Sequence, residues 1–367
     1  MILVFFFILS IYIISIGLLI YGFTKVKKYR KPNLKPKTSF TIIVPFRNEE
    51  ENLPKLLNSF SVLNYPNELF EVILVDDSSK QKFQVSDFGF QVSIIDNIRI
   101  SSSPKKDAIS TAMQHAKFNW VITTDADCIV PENWLITFDN YIQENKVSML
   151  AGAVSYKCEN SFLDHFQQLD LTSLQGATIG SFGLKKAFMC NGANFAYTKS
   201  LFEKLNGFEG NNKIASGDDV FLLQKAAALF PNEVHYLKSE EAIVATKPTE
   251  DWKSLFYQRV RWAAKTSSYQ STFGKFLGLV VFFGNLTFVI GFVLFISGIF
   301  SWQFLGLYVF LKFAVDFILL YNTNQFLTKE RIKYLILSSI FYPFFSSSVA
   351  LYSLFGSYEW KDRRFGK

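Results

Sequence analysis

The sequence predicts an α/β domain built on a largely parallel sheet and carried between membrane helices. Three observations predict it. Apolar segments long enough to cross a bilayer lie on both flanks of the 367-residue chain. Between them, short β-branched runs alternate with helical periodicities, the pattern of strands joined by helices in a parallel sheet. Acidic pairs follow those runs directly, where an open α/β sheet collects its ligands.

Ile2 to Phe23 carries no charged residue. At ~1.5 Å per residue this run is long enough for a hydrocarbon core ~30 Å thick. It has no basic leader and no small-x-small cleavage site, so residues 1–23 read as an uncleaved anchor. Residues 24–38 form a basic, proline-containing linker. Lys25, Lys27, Lys28, Arg30, Lys31, Lys35 and Lys37 follow the span with no acid among them. Such an excess marks the cytoplasmic side and is drawn to anionic lipid. The formal net charge of +7 therefore calls for no nucleic-acid partner. There is no zinc-finger spacing, no aromatic RNA-binding signature and no repeat. The three cysteines, Cys128, Cys158 and Cys190, form no CxxC pair and fit a reducing compartment. His115, His165 and His235 are scattered and belong to no His/Cys metal cluster.

The pattern changes at Phe40. Thr41 to Pro45 reads as a buried strand, and Leu53, Leu56, Leu57 and Phe60 recur at helical spacing behind an acidic start. Strands follow at Glu71–Val75, Val92–Ile95 and Trp120–Thr124. A polar loop, 101–106, and a helix from Asp107 to Ala116 lie between the last two. Asp76, Asp77, Asp125 and Asp127 thus fall at carboxyl ends of strands. That placement, rather than the number of acids, makes them candidates.

Each motif supports specific chemistry and also has a plain alternative. Two carboxylates one residue apart, Asp125 and Asp127, can hold Mg²⁺ or Mn²⁺ together with substrate phosphate oxygens, or form a solvated turn. Asp76 and Asp77 can accept from a base or ribose, or close an Asx turn. Lys105 and Lys106 can meet phosphate or lie on the surface. Asp218 and Asp219 open a helix, where an acid can cap or serve as general base to an acceptor hydroxyl. Gln258, Arg261 and Trp262 share one helix face. They can meet a diphosphate and acceptor, or anchor an interfacial helix. Asn191 and Gly192 lie in a turn that lets backbone approach a substrate closely.

In combination these motifs resemble the membrane-bound members of glycosyltransferase family 2. The likeness covers roughly 38–265. It rests on Ile43-Val44-Pro45-Phe46-Arg47-Asn48-Glu49-Glu50, Val75-Asp76-Asp77-Ser78-Ser79, Asp125-Ala126-Asp127, Asn191-Gly192-Ala193-Asn194-Phe195-Ala196, Gly217-Asp218-Asp219 and Gln258-x-x-Arg261-Trp262. The resemblance implies a GT-A fold, Rossmann-like with a largely parallel sheet, and transfer with inversion at the anomeric carbon. It implies nucleotide-sugar contacts from Pro45, Arg47, Glu49, Asp76, Asp77, Lys106 and Asp125. It gives a divalent metal, Mg or Mn, to Asp125 and Asp127, and catalysis to Asp219 with Asp218 beside it. Asn191, Gly192, Gln258, Arg261 and Trp262 go to the acceptor and diphosphate. The chain departs from the pattern at Asp218, where relatives carry Glu, and at Lys105-Lys106, where they carry Gly-Lys. The tail Glu359-Trp360-Lys361-Asp362-Arg363 carries Asp where relatives have Gly in Trp-Lys-Gly-Arg.

The expected organisation is an anchor (1–23), a basic linker (24–38), the GT-A domain (39–250), an interfacial amphipathic segment (251–274), membrane helices (275–357) and a basic tail (358–367). Apolar stretches at 276–299, 302–322 and 334–356 would put the tail outside if all three cross. The charges Lys361, Arg363, Arg364 and Lys367 argue for inside. One stretch is therefore expected not to cross. Lys312 and Asp316, costly in lipid unless paired, mark 302–322, and Tyr342-Pro343 marks the last stretch. Labelling a cysteine at residue 365 tests this: reaction from outside the cell refutes it.

The expected activity is transfer of a sugar, from a UDP-sugar in the first instance, to a lipid or lipid-linked acceptor at the cytosolic membrane face. A processive polysaccharide synthase is the rival reading. A membrane-associated nucleotidyltransferase could use the same fold and metal carboxylates, but would leave Asp219 and the Arg-Trp segment without a task. A membrane scaffold would leave the ordered acids unexplained.

Overall fold

The computed structural model describes residues 1–84, 86–212, 214, 216–360 and 363–365. In chain order its elements are α1 (Ile2–Lys25), β1 (Phe40–Phe46), α2 (Leu53–Ser61), β2 (Phe70–Asp76), β3 (Gln91–Asp96), α3 (Pro104–His115) and β4 (Trp120–Thr123). There follow α4 (Trp134–Glu144), β5 (Met149–Gly152), β6 (Val154–Tyr156), α5 (Phe162–Gly183), β7 (Phe195–Thr198), α6 (Lys199–Lys204), α7 (Asp218–Leu229), β8 (Val234–Leu237) and β9 (Val244–Thr246). The last elements are α8 (Trp252–Ala264), α9 (Thr272–Ile296), α10 (Trp302–Leu327), α11 (Leu335–Phe355), β10 (Tyr358–Trp360) and β11 (Arg363–Phe365). Lys361, Asp362 and Lys367 of the tail lie outside the described residues.

The chain divides into two units. One comprises Lys27–Lys157 and Ala187–Lys247, the other Met1–Val26, Cys158–Lys186 and Pro248–Lys367. The first holds a seven-stranded sheet in the order β3-β2-β1-β4-β7-β5-β8. All neighbours in it are parallel except β7, which runs antiparallel to both β4 and β5. β1 and β2 are rich in β-branched and aliphatic residues because helices cover both faces, so the strands are buried throughout. Under them lies a core built around Trp134, Phe138, Phe40, Phe60 and Phe70. β6 and β9 form a separate parallel pair.

The basic stretch after α1 is tied down. Thr38 N–H and Lys37 N–H donate to the buried Asp139 carboxylate, Leu34 N–H to Asn140, and Gln143 to Lys35 O, so the strand-like segment runs along α4. Lys28 and Lys31 pair with Glu240 and Glu241.

In the other unit, four helices are long and apolar enough to cross a membrane: α1, α9, α10 and α11. The Lys312–Asp316 problem resolves by pairing. Lys312 Nζ lies 2.7 Å from Asp316 Oδ2, and the Tyr12 hydroxyl on α1 donates to Asp316 Oδ1 at 2.7 Å. The charges of α10 therefore face α1 and each other, the arrangement in which ionisable groups are tolerated in a membrane.

α5 packs along α1 at backbone distance. A β-carbon at Gly183 would stand 1.8 Å from Gly22 O, and one at Gly180 would stand 2.4 Å from Leu19 O. Only glycine allows this approach, the small-residue solution common to tightly packed helices in membranes.

Candidate active site

The site-bearing residues of the sheet unit collect at the carboxyl ends of β1, β2 and β4, together with the start of β7. Antiparallel pairing explains the last. Thr123 at the end of β4 stands opposite Phe195 at the start of β7, so the turn before β7 is delivered to the same edge. Thr123 Oγ1 fastens it by donating to Gly192 O at 2.7 Å. Asn191 closes the turn by accepting from Ala193 N–H at 3.0 Å.

Around this turn the acids meet. Gly192 N–H donates to Asp219 Oδ2 at 2.9 Å, and Val220 N–H to Asp219 Oδ1 at 2.7 Å. Asp218 and Asp219 occupy the first turn of α7, where the helix dipole favours negative charge. A β-carbon on Gly192 would lie 3.2 Å from both Asp218 Oδ2 and Lys105 Nζ. Lys105 Nζ lies 2.6 Å from Asp125 Oδ1 and 3.5 Å from Asp218 Oδ2. One ammonium thus joins the acid after β4 to the acids of α7. Burial alone would lower the Lys105 pKa, but the carboxylates of Asp125 and Asp218 outweigh it and hold the ammonium well above its ordinary value. Asp127 is half-buried beside the Cys128 thiol. Burial, reinforced by the Asp127 carboxylate, pushes that thiol up.

The two lysines separate because α3 begins earlier than expected, at Pro104 rather than Asp107. Proline suits the first helical position, where its missing N–H costs nothing. Lys105 and Lys106 therefore lie in the first turn and point about 100° apart. Lys106 is 1% exposed. Its ammonium donates to Asn211 O at 2.8 Å and Ile214 O at 2.9 Å, 5.0 Å from the Phe221 ring centroid. It holds the loop before α7.

A second cluster lies at the ends of β1 and β2. Asp76 accepts from Ser79 N–H at 2.8 Å and meets Lys82 at 3.3 Å. Asp77 accepts from Asn97 Nδ2 at 2.8 Å, with Arg99 Nη1 at 3.4 Å. Arg47 Nη1 donates to the carbonyls of Asp77 and Ser78, both at 2.8 Å, and so fixes the turn. Asn48 and Ser78 take left-handed backbone there, with φ of 53° and 62°. Pro45 pairs in register with Val75, and Glu49 accepts from Asn52 Nδ2 at 2.7 Å. Sequence reasoning passed over Asn97, Arg99 and Asp107. Asp107 Oδ2 accepts from Arg99 Nε and from the N–H groups of Ile100 and Ser101, which orders the loop carrying Arg99. The signal was an acid in the first turn after Pro104.

Gln258, Arg261 and Trp262 belong to the helical unit, on α8. Asp251 starts that helix by accepting from Ser254 N–H at 2.9 Å. All three motif side chains are half-buried. Arg259 is buried and lies with its guanidinium 4.2 Å from the Trp262 ring centroid.

A mostly parallel sheet with acids at its carboxyl edge, in a chain with apolar helices on both flanks of the sequence, is a GT-A-like fold. Residues 41–206 match the model of Glycosyl transferase family 2. The chain is 24% identical over 249 residues to "Probable glycosyltransferase YdaM" of Bacillus subtilis (strain 168), covering 65% of this chain and 57% of that protein. It is 23% identical over 190 residues to "Glycosyltransferase AglE" of Haloferax volcanii, covering 51% of this chain and 60% of that protein. The matched region thus spans less than two thirds of either relative. Among solved structures, the mannosyltransferase PcManGT from Pyrobaculum calidifontis, in complex with GDP-Man and Mn²⁺, shares the fold. Its TM-score is 0.53 at 15% identity, covering 94% of this chain and 99% of that one.

Proposed function

We propose that this chain is a membrane-bound inverting glycosyltransferase. It moves a sugar from a nucleotide-sugar donor, a UDP-sugar in the first instance, to the hydroxyl of a lipid or lipid-linked acceptor at the cytosolic face. The observation that carries this reading is the convergence of Lys105, Asp125, Gly192, Asp218 and Asp219 at one sheet edge, in a chain with four helices apolar enough to cross a membrane. The basic stretch after α1 supports a cytosolic domain, where nucleotide sugars are made.

In this reading Asp219 takes the proton of the acceptor hydroxyl. The acceptor oxygen then bonds to the anomeric carbon from the face opposite the diphosphate, and the bond to the diphosphate breaks. Gly192 N–H and Val220 N–H fix the orientation of the base, which must lie within hydrogen-bond reach of the hydroxyl. Lys105, rather than Lys106, meets the donor phosphates. Asp76 and Asp77 receive the nucleoside, with Arg47 shaping their turn. Among the described residues no three His, Cys, Asp or Glu side chains group as a metal cage. Asp125 and Asp127 nevertheless fit Mg²⁺ or Mn²⁺, because such a cation takes few carboxylates and completes its shell with phosphate oxygens. Bound there it would offset charge on the departing diphosphate.

Donor turnover in isolated membranes tests the reading. UDP- and GDP-sugars are supplied with Mg²⁺ or Mn²⁺, and lipids are extracted. Metal-dependent label in the lipid fraction is expected. Label in a long water-soluble polymer would establish the processive synthase instead, and release of inorganic diphosphate from UTP or GTP supplied with a sugar 1-phosphate would favour the nucleotidyltransferase.

A further inference from the structure

α8 does not hold its motif alone. Arg259, one of the two residues between Gln258 and the Arg261-Trp262 pair that the motif leaves unspecified, is 5% exposed and donates through Nε to Asp170 Oδ2 on α5. Asp170 is equally hidden, 6% exposed. From this anchored position Arg259 reaches two motif residues at once. Its Nη1 donates to Gln258 Oε1, and its guanidinium covers the Trp262 ring at 4.2 Å. A guanidinium is suited to this because its planar fork can serve a carboxylate, an amide oxygen and an aromatic face simultaneously.

α5 holds the approach to α8 at a second point. One turn before Asp170, on the same face of α5, Gln167 Nε2 donates to Thr249 O at 2.9 Å. Gln167 Oε1 accepts from both Thr249 N–H and Thr249 Oγ1, each at 2.9 Å. Gln167 thus fixes the segment entering α8, and Asp170 fixes its middle.

We propose that Asp170 is a positioning residue for the transfer reaction, acting through Arg259 to set the side chains of Gln258 and Trp262 and the rotation of α8 that presents Arg261. A buried ion pair adds little stability over an apolar pair of the same volume. It does specify one rotation of the helix about its axis, because every other rotation leaves both charges buried and unpaired. The inference rests on the reading that the Gln258–Trp262 segment serves the reaction.

The test uses the full-length enzyme in native membranes and in nanodiscs. Radiolabelled UDP-GlcNAc, UDP-glucose and GDP-mannose are the donor probes, and the extracted lipid of the same membranes is the acceptor. Asp170→Asn keeps shape and an accepting oxygen but removes the charge. It is expected to lower kcat by about 10- to 100-fold, the scale on which small misplacement acts, with donor KM within about 2-fold. Arg259→Gln is expected to do the same, and the double variant to be no worse than the poorer single, because both act through one contact. Hydrogen exchange across 255–264 is expected to quicken in each. Asp170→Glu, which keeps the charge, is expected to recover part of kcat. Unchanged kcat in Asp170→Asn, or losses that add in the double variant, overturns the proposal. Arg261→Ala separates the underlying reading. If that variant keeps full activity, the segment does not serve transfer and the positioning role falls with it. If it loses activity while Asp170→Asn does not, only the positioning role falls.

Discussion

Replacing Asp219 by Asn is expected to lower sugar transfer by about 10²- to 10⁴-fold, the range over which a positioned general base acts, while donor affinity stays within a few-fold. The fold should survive the change. Asn can still accept from Gly192 N–H through its amide oxygen. It loses the second acceptor facing Val220 N–H, a cost of about 0.5–1.5 kcal/mol for one hydrogen bond. Asp219→Ala would be a poorer test, because it also releases the Gly192 turn that Thr123 and Asp219 hold between them. Asp218→Asn gives the internal comparison. Asp218 stands beside Lys105 at 3.5 Å and makes the weaker of that lysine's two ion pairs. Its loss should shift metal and donor dependence more than it slows the chemical step. The measurement is single-turnover transfer with donor prebound. Asp219→Asn retaining more than about a tenth of the wild-type rate would remove Asp219 from the role of base.

How much of this was legible in the sequence follows from what each element faces. β1, β2 and β4 are buried along their length, so their aliphatic runs stand out and their ends locate Asp76, Asp77 and Asp125. α9, α10 and α11 are equally plain, because each is a long, predominantly apolar run. α5 left no such mark. Its buried positions include Gln167, Gln168, Asp170, Thr172, Gln175, Thr178 and Ser181, so polarity does not report its inward face. Two of those side chains find their partners on segments distant in sequence, Gln167 on Thr249 and Asp170 on Arg259, while Gln168, Thr178 and Ser181 bond within α5. The reversed direction of β7 was also hidden, since a strand carries no sequence mark of parallel or antiparallel pairing. Without it, Asn191-Gly192 could be named from the resemblance but not placed at the edge occupied by Asp125. The separation of Lys105 from Lys106 was missed for a third reason. Neighbouring identical residues look interchangeable until the helix start is fixed, and Pro104 fixes it one turn earlier than the apolar pattern indicates.

That separation gives the second large effect. Lys106→Met is expected to destabilise the protein with little change in nucleotide binding. It deletes two charge-assisted hydrogen bonds, to the carbonyls of Asn211 and Ile214, each of the kind that contributes about 1.5–3 kcal/mol. At about 2–4 °C per kcal/mol for a domain of this size, thermal unfolding should move down by several degrees. Lys105→Met should behave in the opposite way. It removes the positive charge among Asp125, Asp218 and Asp219 and the proposed contact to the donor phosphates. Truncating one member of such a part-buried charge group costs about 2 kcal/mol in binding, or roughly 30-fold in the dissociation constant of UDP or GDP. The variant should also recover more thermal stability than the wild type on addition of Mn²⁺ or Mg²⁺, because carboxylates left without the ammonium gain more from a cation that binds only the folded state. Titration calorimetry with UDP and GDP, paired with thermal unfolding with and without the metal, reads both effects. If Lys106→Met abolishes nucleotide binding at unchanged stability while Lys105→Met preserves it, the phosphate contact belongs to Lys106. The buried position of its ammonium would then have to open when the donor binds.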